Sequence, residues 1–288
     1  MALTKSEWIE LEKKASAVRQ LTLDTCYWAG GAHMGGSLSS TDFLTLLYFK
    51  YLNFEPKNYA DENRDRCIIS KGHIGVAIAA LFSELGLLDR EELKTFNLTG
   101  SRLGVHLDSR KVKGLEASTG SLGHGSALAL GTALAARVQG KSYKTWVLLG
   151  DGECDEGSVW EAAMATANFN ATNLITVVDR NKFMIDGNTE DVMKLEPFSD
   201  KWRAFGFEVI EADGHHLSKL SDAMEKAMQT KDKPVCLILD TLKGEGISFM
   251  AGDHKWHYGA MDEVKYELAK KDLLEYEAKR LARVEKEA

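Results

Sequence analysis

Five short, unbroken apolar runs recur along the chain: "CIIS" at 67–70, "TWVLL" at 145–149, "LITVVD" at 174–179, "FEVIEA" at 207–212 and "VCLILDT" at 235–241. Because they are continuous rather than alternating, they read as strands buried on both faces, the habit of a parallel sheet. Helix-like stretches lie between most of them. "SLGHGSALALGTALAARVQG" (121–140) carries small residues at helical spacing and predicts a tightly packed central helix, while 156–170 and 217–231 are amphipathic. Strand–helix alternation of this kind predicts an α/β fold, a parallel sheet with helices on both faces. Residues 1–60 read as mainly helical: Thr4 and Glu7 form a capping box, and Trp8, Leu11, Ala15 and Val18 follow at helical spacing. Residues 262–288 read as a charged helix with an apolar stripe, ending in a frayed tail. With no Pro/Ser-rich linker and no internal repeat, 1–288 is expected to form a single domain.

Composition narrows the function classes. A net charge of −7 argues against nucleic acid or an anionic membrane surface as partner. The four cysteines, Cys26, Cys67, Cys154 and Cys236, are far apart and form no CxxC pair, which predicts neither a disulfide framework nor a cysteine metal site. No apolar stretch approaches bilayer length, and the N-terminus lacks a signal-peptide core, so a cytoplasmic protein is expected. A nicotinamide-binding GxGxxG after a first strand and a GxxxxGK[ST] phosphate loop are both absent.

The candidate chemistry begins where "TWVLL" runs into "GDGECDEG" (150–157), four acids among three glycines. Ligands of open parallel sheets bind at the carboxyl ends of the strands. Asp151 falls at such an end, where a hard cation can be held, and Gly150 and Gly152 allow a phosphate to approach the backbone. The next strand ends in "RNKF", where Asn181 supplies an amide oxygen suited to Mg²⁺ or Ca²⁺. Asp151 and Asn181 on neighbouring strands can converge on one ion, which predicts a Mg²⁺–diphosphate site.

GDG followed by that Asn resembles the diphosphate-binding motif of thiamine-diphosphate enzymes, and "GDGECDEGSVWEA" resembles the transketolase version of it. Further stretches agree in the family's order: "GGAHMGGSLS" with His33, "SKGH" with Lys71 and His73, "GVHLD" with His106, "STGSLGHG" with Gly120 and Leu122, and "TLKGEGISFMAGDHKWHYG" with Lys243 and His257. The likeness covers about residues 10–260. It implies a thiamin diphosphate-binding fold with thiamine diphosphate and Mg²⁺ as cofactors, Ca²⁺ or Mn²⁺ serving in place of Mg²⁺. Asp151, Asn181 and the Phe183 carbonyl would hold the metal. Lys71, His73, Gly120, Leu122, Gly152, Glu153, Asn181, Lys243 and His257 would contact the cofactor. His33 and His257 would orient and deprotonate the donor's C3 hydroxyl, His73 and His106 would hold its C1 hydroxyl, and Glu156 and Glu161 would belong to a proton relay across a subunit interface. Near-neutral imidazoles suit a substrate rich in hydroxyls. Asp155 is expected to be solvated and His215 and His216 structural. His124 and His254 lie close to the motifs without an assigned role. Met34 after His33 and Leu107 after His106 depart from the family's usual proline, which bears on substrate preference rather than on the chemistry.

A full transketolase carries a further pyrimidine-binding domain, which supplies the glutamate that activates the cofactor. The resemblance therefore implies the N-terminal subunit of a split transketolase, paired with a separate C-terminal subunit in an α2β2 assembly. Together they would transfer a two-carbon ketol unit from a ketose phosphate donor to an aldose phosphate acceptor. The alternatives are a split transketolase for a sulfonated or branched ketose, and the α subunit of a 2-oxoacid dehydrogenase, away from which the histidine set points.

Overall fold

The structure is a computed structural model and describes residues 3–288. Helix α1 (Lys5–Trp28) opens with the capping box: Thr4 Oγ1 accepts from the Glu7 amide at 3.3 Å while the Thr4 amide donates to Glu7 Oε2 at 2.9 Å. A two-residue strand β1 (Gly31–Ala32) and the wholly buried helix α2 (Met34–Leu46) follow. Then come β2 (Arg66–Ile69), α3 (Gly75–Glu84), α4 (His124–Val138), β3 (Thr145–Gly150), α5 (Gly157–Asn168) and β4 (Leu174–Arg180). The chain continues through α6 (Thr189–Val192), α7 (Phe198–Ala204), β5 (Glu208–Asp213), α8 (Leu217–Gln229), β6 (Val235–Asp240), β7 (Gly259–Ala260) and α9 (Glu263–Glu287).

All five predicted strands form one parallel sheet in the order β2-β3-β4-β6-β5. Their apolar runs are continuous because neighbouring residues feed opposite cores. Trp146 and Leu148 of β3 enter the core shared with α1, α2, α3, α8 and α9, whereas Val147 and Leu149 enter the one shared with α4, α5 and α7. Thr145 pairs with Leu174 and Gly150 with Asp179, so the ends of β3 and β4 lie side by side. Among the described residues no helix is long and apolar enough to cross a membrane.

Two expectations fail. Helix α4 is not packed all round: Ala129, Leu130, Ala133 and Ala136 are buried, but Leu128 is exposed and Val138 is 88 % exposed. One face rests on the sheet and one flank on α5, and no described residue of this chain covers the remainder. The tail of α9 does not fray. The buried Arg280 donates to Glu12 of α1 and, at 3.1 Å, to Asp42 of α2, and His216 meets Glu287 at 2.8 Å. Leaving Glu12 unpaired in the interior would be costly, so these contacts hold the helix to its last turn.

A second, two-stranded sheet joins the chain's early and late segments. β1 pairs antiparallel with β7, Gly31 opposite Ala260 and Ala32 opposite Gly259. Gly259 has no room for a side chain, because the Trp256 ring lies where a Cβ would go.

Candidate active site

A cavity of about 440 Å³ opens at the carboxyl ends of β3 and β4, and Asp151, Asn181, Lys71, His33 and His257 are among the residues that line it. Asp151 is buried. Its Oδ1 accepts from the Gly152 amide at 2.9 Å, and its Oδ2 from the Lys182 amide at 2.6 Å and Arg180 Nη1 at 3.1 Å. Burial and the nearby Asp179 carboxylate push its carboxyl up, against Arg180 and the two amides. A Cβ at Gly152 would stand 3.2 Å from Met184 Cβ, a tight fit where the loop after β4 folds over this turn.

Asp179, one residue before the end of β4, organises the floor of the cavity and was not singled out from the sequence. Its Oδ2 accepts from Lys71 Nζ, from Ser39 Oγ at 2.7 Å and from Asn181 Nδ2 at 3.0 Å, and its Oδ1 accepts from Thr241 Oγ1. Burial pushes its carboxyl up, but the Lys71 ammonium and these hydrogen bonds outweigh that and hold it below the usual carboxylate value. Lys71, expected to face the cofactor, thus lines the cavity with its ammonium committed to Asp179, Ser40 Oγ (3.0 Å) and the Gly36 carbonyl (3.1 Å). Arg180 was likewise missed. It joins Asp151 to Thr189, Glu190 and Glu196. The signal for Asp179 was available, since it is a second acid at the end of a buried strand, beside the first.

Four of the expected histidines come together. The His33 ring centroid lies 5.3 Å from that of His73, 6.3 Å from His106 and 5.2 Å from His257, and His73 and His257 stack at 5.0 Å. Burial, with the charges of neighbouring imidazoles and lysines, lowers His33 to about 4, His257 to about 3 and His73 well below its usual value. These three imidazoles are therefore neutral at pH 7. His33 Nδ1 is buried without a partner among the described residues. Lys243 Nζ lies 3.0 Å from His257 Nδ1. Because an ammonium only donates, that nitrogen is the acceptor and the ring proton sits on Nε2. His257 thus offers a donor to the cavity.

The remaining expected residues divide. Gly120, Leu122, Gly152, Phe183 and Lys243 line the cavity. Lys243 also donates to the Phe183 carbonyl at 3.0 Å, and burial, with repulsion from Lys71, lowers it to about 8. Glu153 lines the cavity too, yet its carboxylate faces inward, accepting from Ser70 Oγ, the Gly123 amide at 2.8 Å and the Gly150 amide at 3.0 Å. It is a clip between three loops, and only its surroundings are left for a ligand. Glu156 and Glu161 stand outside the cavity on the exposed surface, as does His124. Asp155 is exposed at the rim. His215 and His216 are tied into the body, through Asp42 and Glu287 respectively.

The donor set fits a small hard cation. Among the described residues no three His, Cys, Asp or Glu side chains could hold a metal by themselves. The candidates are one carboxylate (Asp151), one amide oxygen (Asn181) and one backbone carbonyl (Phe183), an all-oxygen set that leaves positions for phosphate and water, as Mg²⁺ prefers. Asn181 is oriented for the task. Its NH₂ donates to Asp179, so its Oδ1 points away and, among the described residues, meets only the Phe183 amide, at 3.2 Å.

Comparison with known proteins agrees with this arrangement. The family profile described as "Transketolase, thiamine diphosphate binding domain" matches residues 11–287. A protein of Clostridium sp. named 6-deoxy-6-sulfo-D-fructose transketolase subunit SqwG is 39 % identical over 92 % of this chain and 96 % of its own length. A protein of Actinobacillus succinogenes, named as one subunit of apulose-4-phosphate transketolase, is 41 % identical over 92 % of this chain and 96 % of its own. The crystal structure of transketolase from Campylobacter jejuni matches with a TM-score of 0.85 at 30 % identity, over 91 % of this chain and 42 % of that one. This chain thus spans under half the length of that solved transketolase. On the strength of the profile match and the superposed fold, the chain belongs to the transketolase family and carries its thiamine diphosphate-binding domain.

Proposed function

We propose that this chain is the cofactor-binding subunit of a two-subunit transketolase that moves a two-carbon ketol unit from a modified ketose donor to an aldose acceptor. The observation that carries the reading is the cavity itself, which Asp151, Asn181 and Phe183 line together with His33, His73, His106 and His257. Asp151, Asn181 and the Phe183 carbonyl would hold Mg²⁺, with the diphosphate completing its shell. When bound, thiamine diphosphate supplies the electron sink for breaking the donor's C2–C3 bond. His33, which lines the cavity, accepts the proton of the donor's C3 hydroxyl, and His257 donates from Nε2 to a substrate or cofactor oxygen. His73 and His106 flank His33 and hold the donor's C1 end.

A modified sugar is favoured over the common ketose phosphates by relatives of matching length whose names specify a sulfonated fructose and apulose phosphate. The two lysines lining the cavity are committed inside the protein, Lys71 to Asp179 and Lys243 to Phe183 and His257. An anionic head group is therefore read by the partner, which also supplies the activating glutamate. Both relatives are named as subunits, which supports a separate partner. The uncovered face of α4 and the adjacent exposed face of α5, with Glu161 and Met164, suit an intersubunit contact. Glu156 and Glu161 would act there as the interface relay, in an α2β2 assembly.

Purified chain, with and without its partner, tests the reading in the presence of Mg²⁺ and thiamine diphosphate. Ketol transfer is expected only from the pair. Turnover by this chain alone, or by neither preparation, overturns it.

A further inference from the structure

Tyr258 belongs to no expected set, and its position is unusual. The ribbon of β1 and β7 pairs Gly31 with Ala260 and Ala32 with Gly259. One step further along the same register, His33 stands opposite Tyr258. Their ring centroids are 4.9 Å apart at 80°, and the Tyr258 hydroxyl lies 3.4 Å from the Gly31 carbonyl. Tyr258 is nevertheless 47 % exposed, although it follows His257 directly in the chain.

Burial falls off along these contacts. Innermost are Lys71, which is buried, and His73, whose protonation burial suppresses. His33 comes next, half-buried, with His73 and His257 packed about its ring. Tyr258 stands beyond His33, in edge contact with that imidazole, half exposed and just outside the residues that line the cavity. A two-carbon fragment handled at the inner end leaves the rest of a ketose extending outward past His33. A tyrosine ring presents an apolar, electron-rich face to the polarised C–H groups of a sugar, and here the hydroxyl is turned to the Gly31 carbonyl.

We propose that Tyr258 is a specificity-determining residue of the sugar site, its ring forming the wall against which donor carbons beyond C3 lie. The inference rests on the transketolase reading and adds a residue that senses the non-reacting part of the substrate. It does not touch the bond that breaks.

The test compares two donors in the assembled two-subunit enzyme. One is 6-deoxy-6-sulfo-D-fructose or fructose 6-phosphate, whichever supports the faster turnover. The other is hydroxypyruvate, which delivers the same two-carbon unit by releasing CO₂ and has no sugar carbons past the cleaved bond. Wild-type turnover of hydroxypyruvate reports on the reaction itself, and its absence overturns the functional reading together with this inference. The ratio of kcat/KM between the donors reports on Tyr258. Tyr258→Ala is expected to shift that ratio against the ketose by about tenfold, mainly through KM, and Tyr258→Phe to restore most of it. An equal loss with both donors would mean that the ring only props His33, and an unchanged ratio would mean that it touches no substrate. Either result overturns the assignment.

Discussion

Asn181 Nδ2 donates to Asp179 Oδ2 at 3.0 Å, and this bond, with the Phe183 amide on Oδ1, fixes which end of the Asn181 amide faces the cavity. Asp179→Asn would remove the charge opposite Lys71 and allow the Asn181 amide to turn over. Affinity for Mg²⁺ in the presence of thiamine diphosphate, measured by calorimetry, should fall about tenfold to a hundredfold, the usual penalty for losing a carboxylate behind a ligand. Unchanged affinity would show that Asn181 needs no such orientation.

Asp151→Ala deletes the one carboxylate of the proposed ion set while leaving Arg180 paired with Glu190 and Glu196. The fold should therefore survive, as thermal unfolding would show. Thiamine diphosphate binding to the two-subunit enzyme should lose its dependence on Mg²⁺.

Stability should depend on pH through His33. Its folded value of about 4 lies below the unfolded value of about 6.5, so between these the unfolded chain binds more protons. Stability contributed by the neutral imidazole is full above pH about 6.5 and declines as pH falls towards 4. His257, lowered to about 3, adds in the same direction. Urea midpoints measured across this window should drop with acid, and His33→Gln should flatten the slope.

Arg280→Ala should destabilise the chain by about 3–5 kcal/mol, because it leaves the buried Glu12 without a counter-charge. Asp42 would keep Arg19 and His215, but Glu12 would keep only the Trp8 indole N–H at 2.9 Å. Chemical denaturation would measure the loss. A change within about 1 kcal/mol would mean that α9 is not held by this residue.

Leu128→Asp tests the bare face of α4. The substitution is exposed in this chain and should leave its unfolding midpoint within about a degree or two, since surface changes rarely matter. Sedimentation of the two mixed subunits should nevertheless show weakened assembly.

Much of the sheet was legible because burial on both faces leaves a plain mark, an unbroken apolar run. The site motifs were legible because glycines and acids at strand ends have few other uses. The rest was hidden for definable reasons. The small residues of α4 read alike whether the helix is enclosed or left bare on one side, so Val138 gave no warning. β1 and β7 are two residues each, Gly-Ala in both cases, and carry no periodicity. Glu153 looked like a ligand contact because sequence shows that an acid is near a site, not which way its carboxylate turns. Asp179 was passed over because it sat inside a run counted as strand.

The β1–β7 ribbon divides the site by how far apart its parts lie in the sequence. The oxygens proposed for the metal come from the ends of the neighbouring strands β3 and β4, from residues 151 to 183. The grouping of His33 with His257 and Tyr258 instead joins the beginning of the chain to its last strand. Closing the longer loop costs more entropy, and the ribbon is what holds it closed. A change that weakened the ribbon would therefore loosen the imidazole cluster and leave the strand-end oxygens where they are.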